Sequence, residues 1–444
     1  MTTQTPPTFN VVVYGTHPGF EEDDENEAEL DIEVAGGAAP NANLIYVNSV
    51  GVDNALFYAI EQNLAPIVSY SFGSCELPGD QSILDQWFFY TEEANAQGMT
   101  ILVASGDQGA VECDSAAEQQ ATQGLAVEIP ADVPGVTSVG GTSFAEDPSG
   151  IFSSTNNASG GSLLQYAPES VWDESPNLIA SGGGASSYFA KPYWQGGAGV
   201  PADGARDVPD LALFSGGSIT NPEGIGYATC TGNQGPPWDC SSGPYALPTS
   251  GTAWAGTSAS TPTFAGIVAL LNQYLVSSQV IARPGLGNIN PQLYLLGEDT
   301  SNVFHAITGN SDLPCQIGTT DCSTAGSPTG SPTGTLGYAV GPGSNYNMAT
   351  GLGSVDGYNL VHEWSNYASA ASSVSLSTNQ TYPTDGTPIV LTANVTGSST
   401  NGAPTGTATF YSWDCVAAGL NSSCLTVQGT SALNSNGQAT LNIP

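Results

Sequence analysis

Three short apolar runs, separated by two stretches with helical spacing, constrain this chain more than anything else in it. NLIYV (43–47), PIVSYSF (66–72) and TILVASG (100–106) are rich in β-branched and aromatic residues and read as strands. DNALFYAIEQN (53–63) and DQWFFYTEEANAQG (85–98) lie between them and read as amphipathic helices. Strand–helix–strand order predicts parallel strands joined by right-handed crossovers, hence an α/β fold. In such sheets chemistry gathers beyond the carboxyl ends of the strands. That points to the loops after Phe72 and after Gly106. A further helix, from about Ser258 to Ser278, is apolar nearly all round and is expected to be buried.

After about Ala368 the texture changes. SVSLSTNQTYPTDGTPIVLTANVTG, TGTATFYSW and QATLNIP read as short alternating strands with turn residues between them. The expected division is therefore an α/β domain over 1–367 and an all-β, immunoglobulin-like piece over 368–444. An immunoglobulin-like sandwich normally takes about 100 residues, so this piece is expected to be incomplete. The repeat GSPTGSPTGT (326–335) marks an exposed loop.

Charge excludes several partners. The chain has 40 acidic residues against Lys191, Arg206 and Arg283, for a formal net charge of −37. Such a surface repels nucleic acid and anionic membranes. Near pH 3–4, roughly where Asp and Glu titrate, most of this charge would vanish, and few cations would remain to repel one another. Composition thus favours work in acid over mere solubility.

The eight cysteines fall as sequence neighbours: Cys75/Cys113, Cys230/Cys240, Cys315/Cys322 and Cys415/Cys424. None forms a metal knuckle, so disulfides in an extracellular protein are expected. No run is long enough for a transmembrane helix. MTTQTPPTFNVVVYGTHPG lacks the basic and apolar regions of a signal peptide, so the natural N-terminus is expected to lie upstream.

WAGTSASTP (254–262) places Ser258 in a small-residue turn at the start of the apolar helix. Backbone N–H groups there favour developing negative charge, although a serine at a helix start is more often only a cap. A nucleophilic serine needs a base. His17 sits in a turn, and His305 and His362 stand beside apolar residues, so none has the company of a catalytic histidine. A carboxylate is the alternative, and Glu suits an acidic medium. In EEDDENEAELDIEVAGGAAP (21–40), Glu27, Leu30, Asp31 and Val34 share one helical face. Two carboxyls there would share a proton. Spacing alone leaves a competing reading, because the nine acidic residues from Glu21 to Glu33 could form a solvated face.

GTSAS-x-P, E-x-E-L-D-I-E-V-A-G and VASGDQG together closely resemble the sedolisin family of serine-carboxyl peptidases. The resemblance runs from about Phe9 to Trp364 and includes SYSFG (69–73), SGGGAS (181–186), RDVPDLA (206–212), FHAIT (304–308) and GPG…TGLGS (341–354). It implies a subtilisin-like parallel sheet flanked by helices. It implies Ser258 as nucleophile, Glu27 as general base, Asp31 as its partner and Asp107 in the oxyanion hole. It implies Ser71, Phe72 and Gly73 as the strand edge that pairs with extended substrate, with Phe72 where the family commonly has Trp. A neutral Asp107 could donate to the oxyanion, a second reason for action in acid.

Three departures accompany the match. The family's prosegment, and the strand and helix that normally precede the VVVYG stretch, are not seen in this sequence. An exposed sheet edge and an incomplete cleft are expected. The family's single calcium ion uses an aspartate in an FHDI-like string and another in a GPG-x-D-like string; here those positions are Ala306 and Asn347. The second string, GPGSNYNMATGLG, also carries an insertion. The remaining candidate ligands are the backbone carbonyls of Ile307, Gly341 and Gly343, with Asp312 as a substitute. The β-rich tail is the third departure. The resulting expectation is a secreted, monomeric, acid-acting endopeptidase on protein and peptide substrates. Its rivals are an inactive peptidase-fold scaffold and a conventional Ser-His-Asp enzyme.

Overall fold

The computed structural model describes residues 7–19, 22–77, 79–144, 151–155, 157, 162–217, 226–227, 229, 254–298, 302–311, 313–319, 322, 334–340, 345–365, 373–380, 387–396, 406–413 and 425–443. The first half alternates as its pattern predicts: β1 (Phe9–Tyr14), α1 (Glu22–Ala38), β2 (Leu44–Ser49), α2 (Val52–Glu61), β3 (Ile67–Tyr70), α3 (Gln81–Gln97), β4 (Thr100–Ala104) and β5 (Thr137–Phe144). β6 (Glu169–Val171), β7 (Leu211–Phe214), α4 (Thr257–Ser277), α5 (Asn290–Glu298), β8 (Phe304–His305), β9 (Ser354–Val355) and α6 (Gly357–Glu363) follow.

Local chemistry explains the boundaries. Straight-chain acids, Ala and Leu fill α1, and its first turns are acidic, which complements the helix dipole. Pro40 lies just beyond its end. The helix expected over 85–98 starts earlier, at Gln81, and stops at Gly98, a left-handed cap with φ 89°.

The central sheet runs β8-β9-β7-β5-β4-β3. Its β3, β4, β5, β7 and β9 pairings are parallel, whereas β8 joins β9 and β6 joins β5 in antiparallel fashion. β1 and β2 form a separate parallel pair. One face of the sheet packs Leu56, Phe57, Ile60 and Trp87 from α2 and α3. The other packs Phe264, Val268, Leu271 and Leu293 from α4 and α5. Leu102 and Val103, adjacent on β4, point into these two opposite cores. The helix expected from Ser258 is indeed buried, with Phe264, Val268, Leu271 and Leu275 fully enclosed. α1 packs on α4, and Gly266 permits the approach: a Cβ there would lie 2.4 Å from Ala38 Cβ.

The tail is all-β. β10 (Ser373–Thr378), β11 (Ile389–Thr396) and β14 (Gln438–Ile443) make one antiparallel sheet, and β12 (Thr407–Trp413) with β13 (Leu425–Ala432) another. Ala393, Phe410 and Ala439 pack between the two sheets. Cys75–Cys113 and Cys315–Cys322 are disulfides, as expected. Cys230, Cys240, Cys415, Cys424 and most of the 326–335 repeat lie outside the described residues. No helix among the described residues is long and apolar enough to cross a membrane.

Candidate active site

Two adjacent parallel strands and two helices converge on Ser258. Ser71, Phe72 and Gly73 follow the carboxyl end of β3, and Ser105 to Asp107 follow that of β4. α4 begins opposite them. Gly256 precedes it at φ 142°, a conformation that L side chains rarely adopt, and a Cβ there would meet Asp107 Oδ2 at 2.9 Å. Ser258 therefore stands in the first turn of α4, half-buried, with its hydroxyl donating to the Ser71 carbonyl oxygen at 3.4 Å.

Pro262 lies in the next turn of α4 and has no N–H to offer the carbonyl four residues back. That carbonyl belongs to Ser258, and the Ser71 hydroxyl reaches it at 3.5 Å. The same hydroxyl donates to Asp31 Oδ1 at 2.7 Å. Ser71 thus links the helix that carries the serine to the helix that carries the acids.

Glu27 and Asp31 lie one turn apart on α1, on the face turned to the site. Burial, then the Asp31 charge, pushes the Glu27 carboxyl up to about 8, while the nearby Ser258 hydroxyl acts in the opposite sense. Burial pushes Asp31 up to about 7 against the Ser71 hydrogen bond. Asp31 retains some exposed surface because it lines an internal cavity, yet protein surrounds it and desolvation dominates. Glu27 Oε1 is buried without a hydrogen-bond partner among the described residues. Two like charges so placed hold one proton between them across neutral pH.

Asp107 faces the start of α4. Its Oδ1 accepts from the Thr257 N–H and from the Thr257 hydroxyl, both at 2.8 Å. Burial raises its pKa against these two bonds. All of Glu27, Asp31, Ser71, Asp107 and Ser258 thus come together. Phe72 turns from them to pack edge-on against Tyr70, and exposed Gly73 continues the strand edge.

Sequence reasoning missed a second carboxyl pair. Glu112 and Glu128 hydrogen-bond to each other beside Asp107, and burial raises both, Glu128 to about 7. Gly73 leaves room for them, since a Cβ there would lie 2.1 Å from Glu128 Oε1. The Cys75–Cys113 disulfide ties the segment after Gly73 to the one carrying Glu112. VECDS and AVEIP carry no pattern that announces this pairing; only the Cys113 spacing hinted that Glu112 comes near the strand edge. Thr257, whose two donors orient Asp107, was also overlooked.

The three histidines are engaged elsewhere. His17 accepts from the Gly19 N–H, His305 stacks on Tyr166, and His362 stacks on Tyr358. The calcium candidates fit poorly. Asn347 Oδ1 already accepts from the Ala349 N–H, the Thr350 N–H and the Thr350 hydroxyl, and Ala306 has no side-chain oxygen. Ile307 is buried among Val171 and Ala349. Gly341, Gly343 and Asp312 lie outside the described residues. The described residues contain no group of three or more His, Cys, Asp or Glu side chains able to hold a metal ion.

Comparison with known proteins matches the subtilase family over residues 20–280. Kumamolisin of Bacillus sp. (strain MN-32) is 32% identical over 354 residues, which is 76% of this chain and 50% of that protein. Sedolisin of Pseudomonas sp. (strain 101) is 30% identical over 215 residues, 44% of this chain and 33% of that protein. Human tripeptidyl-peptidase 1 is 28% identical over 281 residues, 60% of this chain and 42% of that protein. The chain therefore spans about half the length, or less, of these relatives. The solved structure of Pseudomonas sedolisin, a serine-carboxyl proteinase complexed with two molecules of pseudo-iodotyrostatin, shares the fold at a TM-score of 0.57 and 23% identity, covering 82% of this chain and 93% of that one.

Proposed function

This chain belongs to the subtilase family, among its sedolisins, and from that premise we propose that it is a serine-carboxyl endopeptidase acting on proteins and peptides in acid. The observation that carries the reading is the convergence of Ser258, Glu27, Asp31 and Asp107 at the carboxyl ends of β3 and β4.

Ser258 Oγ attacks the carbonyl carbon of the scissile peptide, and its proton passes to Glu27. Asp31 holds and tunes Glu27 through their shared charge, and Ser71 fixes Asp31. The carbonyl oxygen, now negative, takes a hydrogen bond from protonated Asp107 at the start of α4, where helix N–H groups add to the positive field. Glu27 returns the proton to the leaving amine, which departs from the acyl-enzyme on Ser258. Water repeats the sequence and releases the acid. Gly73 and the exposed edge beside it offer backbone groups to an extended substrate.

Two protonation states bound the activity. The carboxyl pair must keep one negative charge to accept the serine proton, and Asp107 must keep its proton to donate. Activity falls on the acid side as the pair takes its second proton and on the alkaline side as Asp107 ionises. Because burial alone would place that second proton near neutral pH, work in acid requires the Ser258 and Ser71 hydroxyls and the bound substrate to hold the pair's negative charge more strongly than the empty site does. The disulfides support a secreted protein. The tail, with two packed antiparallel sheets, is read as an immunoglobulin-like module, 368–444, appended to the catalytic domain, 1–367.

Hydrolysis of an unfolded protein from about pH 2 to pH 8, the span over which Asp, Glu and His titrate, tests the reading. The expected result is activity confined to acid and lost in Ser258→Ala and in Glu27→Gln. Activity that survives Glu27→Gln, or that follows a histidine reagent, would overturn the carboxylate mechanism.

A further inference from the structure

Two buried carboxyls that take no part in the chemistry meet on one hydroxyl. Ser186, on the strand Gly184–Ala190, places its Oγ 2.9 Å from Glu76 Oε1 and 3.0 Å from Asp132 Oδ2. The same oxygen accepts from the N–H groups of Phe189 at 3.0 Å and Tyr188 at 3.2 Å. Glu76 Oε2 accepts from the Ser187 N–H at 2.8 Å. Asp132 is 0% exposed, and its Oδ1 has no hydrogen-bond partner among the described residues.

Counting hydrogens assigns the charges. A hydroxyl has one hydrogen and can satisfy one carboxylate. A second carboxylate at 3.0 Å would press its lone pairs against the hydroxyl oxygen with nothing between them, so one carboxyl must bring its own proton. Two donors converge on Glu76, the Ser186 hydroxyl and the Ser187 N–H, and the negative charge belongs there. Asp132 has no comparable support. Ionised, it would leave a bare charged oxygen in the interior; protonated, it donates to Ser186 and leaves only a carbonyl oxygen unpaired. The charged groups that face it are Glu76 and Arg206, and Arg206 is engaged on Asp210. Glu128, earlier on its own segment, is bonded to Glu112, and Asp85 of α3 accepts from the Tyr188 hydroxyl. Burial and the Glu76 charge push the Asp132 carboxyl well above its ordinary range, against Arg206 and the Ser186 hydrogen bond.

This clamp joins the two walls of the cleft. Glu76 lies three residues beyond Gly73, and the strand Ser74–Cys75 prolongs the substrate edge while pairing with Glu128–Ile129. Ser186 lies four residues beyond Gly182, whose N–H donates to the Gly106 carbonyl at 2.8 Å, beside Asp107. Both walls close on the Glu112–Glu128 pair: a Cβ at Gly182 would lie 2.6 Å from Glu112 Oε1, as one at Gly73 would meet Glu128. We propose that Asp132 is a positioning residue: a proton stored on it, separate from those of the catalytic acids, holds the two walls at the spacing an extended substrate needs, and loss of that proton parts them. With two charges on one hydroxyl, Ser186 keeps one partner and repels the other. Substrate affinity then fails before chemistry does, a second alkaline limit that KM registers and kcat does not. The role of the cleft rests on the peptidase reading; the proton count stands without it.

Asp132→Asn replaces the acid O–H by an amide N–H that cannot ionise. In peptide hydrolysis from about pH 3 to pH 8, the KM of the parent is expected to climb about tenfold at the alkaline end, and that of the variant to stay level. A second readout needs no activity. The folded parent keeps a proton that the unfolded chain releases, so its stability to urea should fall with rising pH more steeply than that of Asp132→Asn, by one proton's worth of slope. Amide exchange of 74–76 and 184–190 should quicken over the same range, beyond ordinary base catalysis, in the parent alone. If Asp132→Asn does not fold, Glu76→Gln, which leaves the hydroxyl one carboxylate to serve, is expected to lose much of the same slope. Equal slopes overturn the stored proton. A lost slope with coincident KM profiles overturns the positioning role. A parent inactive at every pH that still shows the slope and exchange differences would sink the peptidase reading and uphold the clamp.

Discussion

Raising the pH is expected to destabilise this protein through its buried acids, and the acid pair on α1 allows the effect to be sized. Glu27 and Asp31 have folded pKa values of about 8 and about 7, above their ordinary values of 4.5 and 3.8. A carboxyl raised in the folded state keeps a proton that the unfolded chain releases. Its stabilising contribution is full below the unfolded pKa and is lost progressively as pH rises to the folded one. Each retained proton costs about 1.4 kcal/mol per pH unit over that window. By these values both carboxyls keep their protons between about pH 4.5 and pH 7; counting only one of them, because the two are coupled, gives about 3 kcal/mol. The general negative charge of the chain acts in the same direction, so a variant must isolate the pair. Glu27→Gln cannot titrate and no longer opposes ionisation of Asp31. Urea unfolding at several pH values should show its stability falling less steeply than that of the parent, by roughly one proton's worth of slope. Equal slopes for parent and variant, or a parent whose stability rises with pH, would refute the reasoning.

Other substitutions probe the remaining parts. Asp107→Asn keeps a neutral donor that cannot ionise; it should retain more activity than Asp107→Ala and extend it to higher pH, whereas Asp107→Ala should lose about 10²–10³-fold in kcat. Ser71→Ala removes the 2.7 Å bond to Asp31, worth about 1.5–3 kcal/mol to a charged acceptor, and should move the acid limb of the pH–kcat/KM profile upward by about one to two units. Gly256→Ala forces a Cβ against Asp107 at an unfavourable φ; a destabilisation of about 1–3 kcal/mol by thermal or urea unfolding is expected. Arg206→Met leaves Asp210 buried without the guanidinium that holds both its oxygens, and should cost about 3–5 kcal/mol in the same assay.

Legibility from sequence followed the range of the interactions. β3, β4 and the helices between them were readable because period and turn chemistry are local. The helical face of Glu27 and Asp31 was equally local, but whether that face met solvent or Ser258 depended on α1 packing against α4. Spacing could not decide it; the resemblance to a family did. The Glu112–Glu128 pair was invisible because its two members are far apart in sequence and meet only through the fold. The break between β2 and β3 was anticipated only as an exposed edge, since strand order is a tertiary property. The calcium expectation rested on the backbone carbonyls of Ile307, Gly341 and Gly343 with Asn347; Gly341 and Gly343 lie outside the described residues, and the Asn347 side-chain oxygen is already engaged by Ala349 and Thr350.

The contact between Ala38 and Gly266 makes a pair of calipers of α1 and α4. Ser258 rides near the tip of one arm and Glu27 along the other, with Gly266 and Ala38 near the pivot. Glu27 lies eleven residues from that pivot, about 16 Å along the helix. On an arm of that length, a splay of about four degrees would separate base from nucleophile by roughly 1 Å, enough to cost about a hundredfold in rate. The reacting atoms are therefore gauged by a contact that no substrate touches. A methyl group added at Gly266 would open the jaws without altering the identity of any residue in the site.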